Sequence, residues 1–150
     1  MRSSPKGQRG FSLIELLIVV TIISILVAIV IPYLTQAQQS ARSASAISSL
    51  RIIVGGEASY RAINSAYGDM TALTNANLIS DPGVRAGRKD DYDFVITVGD
   101  AVLGDATQYY KATATPTTSP ARWLHYFVDA SGVMRSEQGA PATINSTPLD

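Results

Sequence analysis

The sequence predicts an α+β fold in which a long amino-terminal helix, apolar enough in its first half to span a membrane, packs by its second half on a small antiparallel β-sheet. Three observations predict it. Leu16 to Leu34 carries no charge and is interrupted only by Thr21, Ser24 and Pro32. After Pro32 apolar positions recur in three- and four-residue steps at Ala37, Ala41, Ala44, Ile47, Leu50, Val54 and Ala58, the period of a helix with one buried face. The carboxy-terminal half then breaks into short β-rich runs separated by turn residues.

Length and charge bound the rest. A chain of 150 residues holds one membrane element and one globular domain of about a hundred residues, not two soluble domains. Arg2, Lys6 and Arg9 lie in the first ten positions, so nine of the twelve bases face all twelve acids in the remainder. That balance argues against nucleic acid as a partner. With no cysteine, disulfides, thiolate metal sites and cysteine catalysis are excluded.

The first element is a basic segment, residues 1–10, followed by the apolar run. Because the next base after Arg9 is Arg42, the positive-inside rule places residues 1–10 in the cytoplasm and the rest on the exported side. About 20 apolar residues is the bilayer-spanning length. A signal peptide has a shorter apolar region, about 7 to 15 residues, and a small-x-small cleavage site that this chain does not offer convincingly. If the helix runs from Phe11 to about Asn64 it is about 80 Å long at 1.5 Å per residue. A compact domain of this size does not contain such a helix, so half of it must be buried in a bilayer and then against other copies. Pro32 lacks a backbone donor and is expected to kink or loosen the helix, with Gly55 and Gly56 as a second weak point.

The remaining elements follow in order. Residues 71–83 read as a short helix or loop closed by the Asp81-Pro82-Gly83 turn. Strands are predicted at Tyr92–Val98, Gln108–Ala114, Trp123–Val128 and Val133–Arg135, the first alternating Phe94, Ile96 and Val98 on one face. Asp129-Ala130-Ser131-Gly132 suits a hairpin connection between the last two. Laying this sheet over residues 40–64 of the helix buries both apolar faces.

Lys6-Gly7-Gln8-Arg9-Gly10 followed by Phe11-Ser12-Leu13-Ile14-Glu15-Leu16 resembles the leader and amino-terminal segment of bacterial type IV pilins and of the related pseudopilins of type II secretion. Residues 2 to about 60 carry the resemblance, Pro32 included, and the carboxy-terminal half matches only in layout. The resemblance implies a pilin-like fold divided into a leader (1–10), a transmembrane and polymerisation helix (11–34) and an exported globular domain (35–150). It implies cleavage between Gly10 and Phe11 by a membrane-embedded prepilin peptidase and N-methylation of Phe11. Many pilins close their carboxy-terminal loop with a disulfide, which this chain cannot form.

Glu15 is the first acid in the chain and stands at the mouth of the apolar run. A charge near the membrane core costs on the order of 3 kcal/mol, and the helix dipole returns only about 0.3 to 1 kcal/mol. Cleavage after Gly10 creates a cationic amine one turn away. In the family the counterpart of Glu15 pairs with that amine on a neighbouring subunit and sets the stagger between protomers. Pairing within one chain, or snorkelling to the headgroups, are the alternatives.

Other chemistry is thin, and no cofactor is expected. His125, the single histidine, sits in a strand pattern and reads as structural, because metal and triad sites need several groups. Asp90, Asp91 and Asp93 could offer oxygens to calcium, but the spacing is not an EF-hand loop, and a solvated strand entry with no metal is the preferred reading. Residues 113–121, TATPTTSPA, read as a Ser/Thr/Pro-rich surface loop that could be O-glycosylated, and Asn145-Ser146-Thr147 fits a sequon.

The chain is therefore read as a structural subunit and not an enzyme. Its partners are identical or related pilin subunits, the inner membrane, the prepilin peptidase and the pilus assembly machinery. It would reside in the inner membrane before assembly and then in an extracellular pilus. A pseudopilin in a periplasmic pseudopilus, or a membrane-tethered exported binding domain, are the competing readings.

Overall fold

The computed structural model describes residues 10–99 and 108–149. It contains α1 (Leu13–Asn64), α2 (Met70–Asn75), α3 (Pro82–Arg85) and six strands: β1 (Arg88–Lys89), β2 (Tyr92–Val98), β3 (Tyr110–Pro116), β4 (Leu124–Asp129), β5 (Arg135–Gln138) and β6 (Thr147–Pro148). The chain divides after Gln38 into two compact units, and the α+β architecture anticipated from the sequence is the one observed. The basic residues Arg2, Lys6 and Arg9 lie outside the described residues.

In the first unit every described residue up to Gln38 is exposed. Two polar interruptions of the apolar run are satisfied along the helix itself: Thr21 Oγ1 donates to the Leu17 carbonyl and Ser24 Oγ to the Val20 carbonyl, both at 2.7 Å. That back-bonding removes free hydroxyl donors from an apolar surface. The helix runs through Pro32 without interruption, although Pro32 brings no donor to the Ala28 carbonyl. Thr35 Oγ1 donates to the carbonyls of Ile31 and Pro32 just beyond.

The second unit is built on the other half of α1. Its buried residues are Ala46, Ser49, Leu50, Ile53, Gly56 and Glu57, so the buried face is turned about one residue from the predicted one. Leu50 is common to both, whereas Ala41, Ala44 and Ala58 are exposed. Alanine abounds on every face of this segment and carries little directional information; the sheet selects the face bearing Leu50 and Ile53. Each of those fully buried side chains contributes about 1.5 to 3 kcal/mol. Gly56 is not a weak point. A Cβ there would stand 3.1 Å from Leu73 Cδ2 and 3.4 Å from the Leu78 carbonyl oxygen, so the glycine lets α2 and the chain after it approach the helix closely.

Aspartates start the two short helices. Asp69 accepts from Ala72 N at 2.7 Å, and Asp81 accepts from Gly83 N and Val84 N with Pro82 in the first turn. The sheet is an antiparallel meander in the order β1 to β6. Its inner face presents Tyr92, Phe94 and Ile96, then Tyr110, Ala112 and Ala114, then Tyr126 and Val128, which share one core with α1, Leu73, Ile79 and Val84.

Strand boundaries differ from the predicted ones at β3, β5 and, by one residue at each end, β4, and β1 and β6 were not predicted. β3 starts at Tyr110 and continues through Pro116, so residues 113–116 of the expected surface loop are strand; Tyr92 faces Pro116 at the end of that ladder, where the missing proline donor is tolerated. β5 runs from Arg135 to Gln138 where Val133 to Arg135 was predicted, because Asp129 accepts from Ser131 N and Oγ and Gly132 takes a φ of 75° to complete a longer turn. The short edge strands β1 and β6 have too few residues to show a period. β6 also explains how the tail is secured without a disulfide. It pairs with β5, Leu149 N donates to the Met134 carbonyl at 2.8 Å, and Arg135 Nη1 donates to the Ser146 carbonyl at 3.1 Å.

Candidate functional site

The site singled out by the sequence is the start of α1. Gly10, Phe11 and Ser12 are non-helical and exposed, and Leu13 begins the helix. The peptide bond between Gly10 and Phe11 therefore lies in exposed, non-helical chain just before the helix. Glu15 Oε2 accepts a hydrogen bond from Ser12 N at 2.9 Å. This is half of a capping box, in which an acid in the first turn satisfies a backbone donor that the helix leaves unpaired. The Ser-x-x-Glu spacing of Ser12 and Glu15 carries that signal in the sequence, independently of the cost of a charge near the membrane. The cap occupies one carboxylate oxygen. Oε1 is not used by the cap.

From Leu16 to Leu34 the helix surface is apolar apart from Thr21, Ser24 and the Tyr33 hydroxyl. Leu16 to Leu34 has no charged side chain, and its large residues, from Leu16 and Ile18 to Ile31 and Leu34, are about half exposed or more. The helix is long and apolar enough to cross a membrane. A surface of this extent, far beyond the patches soluble monomers leave open, requires lipid or protein against it.

The acidic residues proposed as calcium oxygens are committed elsewhere. Asp91 pairs with Arg42 Nη1 at 2.6 Å, Asp93 takes a forked contact from Arg88, and Asp90 accepts from Ser45 Oγ. Arg42 also lies over the Trp123 ring at 5.2 Å. These contacts tie the β1–β2 turn to α1, and Asp90 and Asp91 hold positive φ values there. The Arg88 guanidinium keeps the Asp93 carboxyl below the usual range. His125 is buried, with Nε2 at 3.0 Å from the Pro120 carbonyl and Nδ1 without a partner among the described residues. In the expected sequon Ser146 is buried and Thr147 is in β6.

One polar residue escaped the sequence reading altogether. Glu57 is wholly buried in the second half of α1. Its Oε2 accepts from Gly68 N at 3.0 Å, while Oε1 has no partner among the described residues. Burial pushes its carboxyl up to about 7, against the lowering effect of the Gly68 N–H and with a further push from Asp69. Its place seven residues after Leu50, on the same face, is the signal that could have found it.

Residues 5–31 match the family model described as the prokaryotic N-terminal methylation motif. The matched residues take in Gly10, Phe11, Glu15 and the apolar run of α1 up to Ile31, and they stand at the head of a pilin-like α+β architecture. The chain is similar to the type IV wide pilus major component PilA4 of Thermus thermophilus, 37% identical over 78 residues. The match covers 51% of this chain and 60% of that relative.

Proposed function

We propose that the chain is a structural subunit of a type IV pilus, cleaved between Gly10 and Phe11 by a prepilin peptidase, N-methylated at Phe11, held in the inner membrane by residues 11–34 and then assembled into an extracellular filament. The observation that carries this reading is the start of α1: Glu15 is the single charged side chain between Gly10 and Arg42, one oxygen caps Ser12, and the run from Leu16 to Leu34 beyond it exposes its large apolar side chains. The similarity to a pilus major component favours a pilus over a pseudopilus. In the filament the second oxygen of Glu15 receives the Phe11 amine of a neighbouring subunit, and this pair sets the axial stagger.

Two variants test the pairing apart from the cap. Glu15→Gln keeps an acceptor for Ser12 N but removes the charge; Glu15→Leu removes both. Each leaves cleavage after Gly10 intact and inserts at least as well as wild type. Neither assembles, because a buried amine without its acid costs about 3 to 5 kcal/mol. Processed protein and sheared surface filament are measured in the same cells. Wild-type filament yield from Glu15→Gln would refute the charge pairing, and processed wild-type protein without surface filaments would refute the pilus assignment.

A further inference from the structure

The 65–69 turn, which carries the chain from the end of α1 to α2, is pressed onto the helix at Gly68. A Cβ at Gly68 would meet Tyr60 Cε1 at 3.0 Å and Ala72 Cβ at 3.1 Å, and the Gly68 amide is held by Glu57 Oε2. Ser65 takes a φ of 56° at the start of the turn, so the turn is shaped by its contacts rather than by local preference. The acid that holds it is poorly placed to be charged. Asp69 of the turn and Tyr110 of β3 are the ionisable groups that act on it, with Tyr110 tilted against Tyr67 of the turn at a centroid distance of 4.6 Å and Asp129 of β4 acting on Tyr110 from beyond. None of these brings a positive charge, and α2 has no ionisable residue. Arg61, one turn further along α1, is committed to Tyr67, donating to its hydroxyl at 2.6 Å and lying 4.8 Å over its ring.

We infer that Glu57 is a proton-operated latch: in its neutral form it holds the 65–69 turn against α1, and its ionisation lets that turn open to water. A buried carboxylate with one donor and an acid neighbour is costly, and the cheapest route to hydration is to part the turn from the helix, since the sheet and the rest of the core need not move. The inference concerns the globular unit and stands apart from the pilus assignment.

The sign follows from linkage. A carboxyl at about 7 in the closed form and near its ordinary value when open binds more protons closed than open. Closure is therefore strongest below about pH 4.5, weakens as pH rises and levels off above about 7. Between pH 5 and pH 8 the opening constant rises about 70-fold.

The test is amide hydrogen exchange and carboxyl carbon NMR on the full chain in detergent micelles. Glu57 is expected to titrate near 7, and the protection factor of Gly68 to fall about 70-fold from pH 5 to pH 8 and then level off. Gly68 is expected to remain less protected than Ala112 of β3 throughout, as a local opening requires. In Glu57→Gln, which keeps an acceptor for Gly68 N, the protection factor of Gly68 stays flat with pH. Titration of Glu57 near the ordinary carboxyl value, pH-independent protection at Gly68, or equal protection of Gly68 and Ala112 at every pH would each overturn the latch. The wild-type measurements decide the matter even if the glutamine variant does not fold.

Discussion

Gly139 and Gly132 offer a matched pair of substitutions in which backbone strain can be separated from steric conflict. Both residues have a φ of 75°. A Cβ on Gly132 meets nothing within 4 Å, whereas on Gly139 it would stand 2.8 Å from the Ala121 carbonyl oxygen, a backbone atom that cannot rotate away. Gly132→Ala therefore costs the left-handed conformation alone, about 1 to 2 kcal/mol. Gly139→Ala costs the same plus displacement of the turn before β4, about 1 to 3 kcal/mol more by analogy with overpacked cores. That turn is no loose end, since the Pro120 carbonyl lies 3.0 Å from His125 Nε2 and Gly139 N donates to the Trp123 carbonyl. Urea unfolding followed by fluorescence reads the difference, and the single tryptophan, Trp123, lies beside the altered contact. An equal loss of stability in the two variants would refute the steric reasoning.

Mass spectrometry of the mature protein is expected to show an amino terminus at Phe11 carrying an N-methyl group; an intact Met1 would contradict the processing scheme. Deleting residues 1–38 is expected to leave a soluble, cooperatively folding monomer, because every core residue from Ala46 onward is retained; aggregation on gel filtration would show that the apolar run supports the domain. Arg42→Ala is expected to destabilise the domain by about 1 kcal/mol through loss of the partly exposed Asp91 pair and the Trp123 contact. Unfolding in high salt checks the split, since salt screens the exposed ion pair more strongly than the close ring contact.

The apolar half of α1 was legible because its physics is local. An unbroken apolar run of spanning length, one acid at its mouth and bases before it are one-dimensional patterns; the Ser12-to-Glu15 cap is written in the same way but was recognised only from the hydrogen bond. The helix itself needed no tertiary information, and neither did β2 and β4, whose alternating or continuous apolar residues report burial directly. What the sequence by itself could not decide was which side of the second half of α1 is covered. Ala41, Ala44 and Ala58 look as apolar as Ala46, and only the position of the sheet selects Ala46, Leu50 and Ile53. The same holds for Gly56, whose close approach to Leu73 and Leu78 exists only once α2 has folded back, and for the edge strands β1 and β6, which form because a neighbour supplies the ladder. Glu57 is the extreme case: a glutamate in a helix reads as surface, and only the arrival of Gly68 and Tyr110 turns it into a buried acid, because desolvation is a property of everything packed around a group and not of its place in the chain.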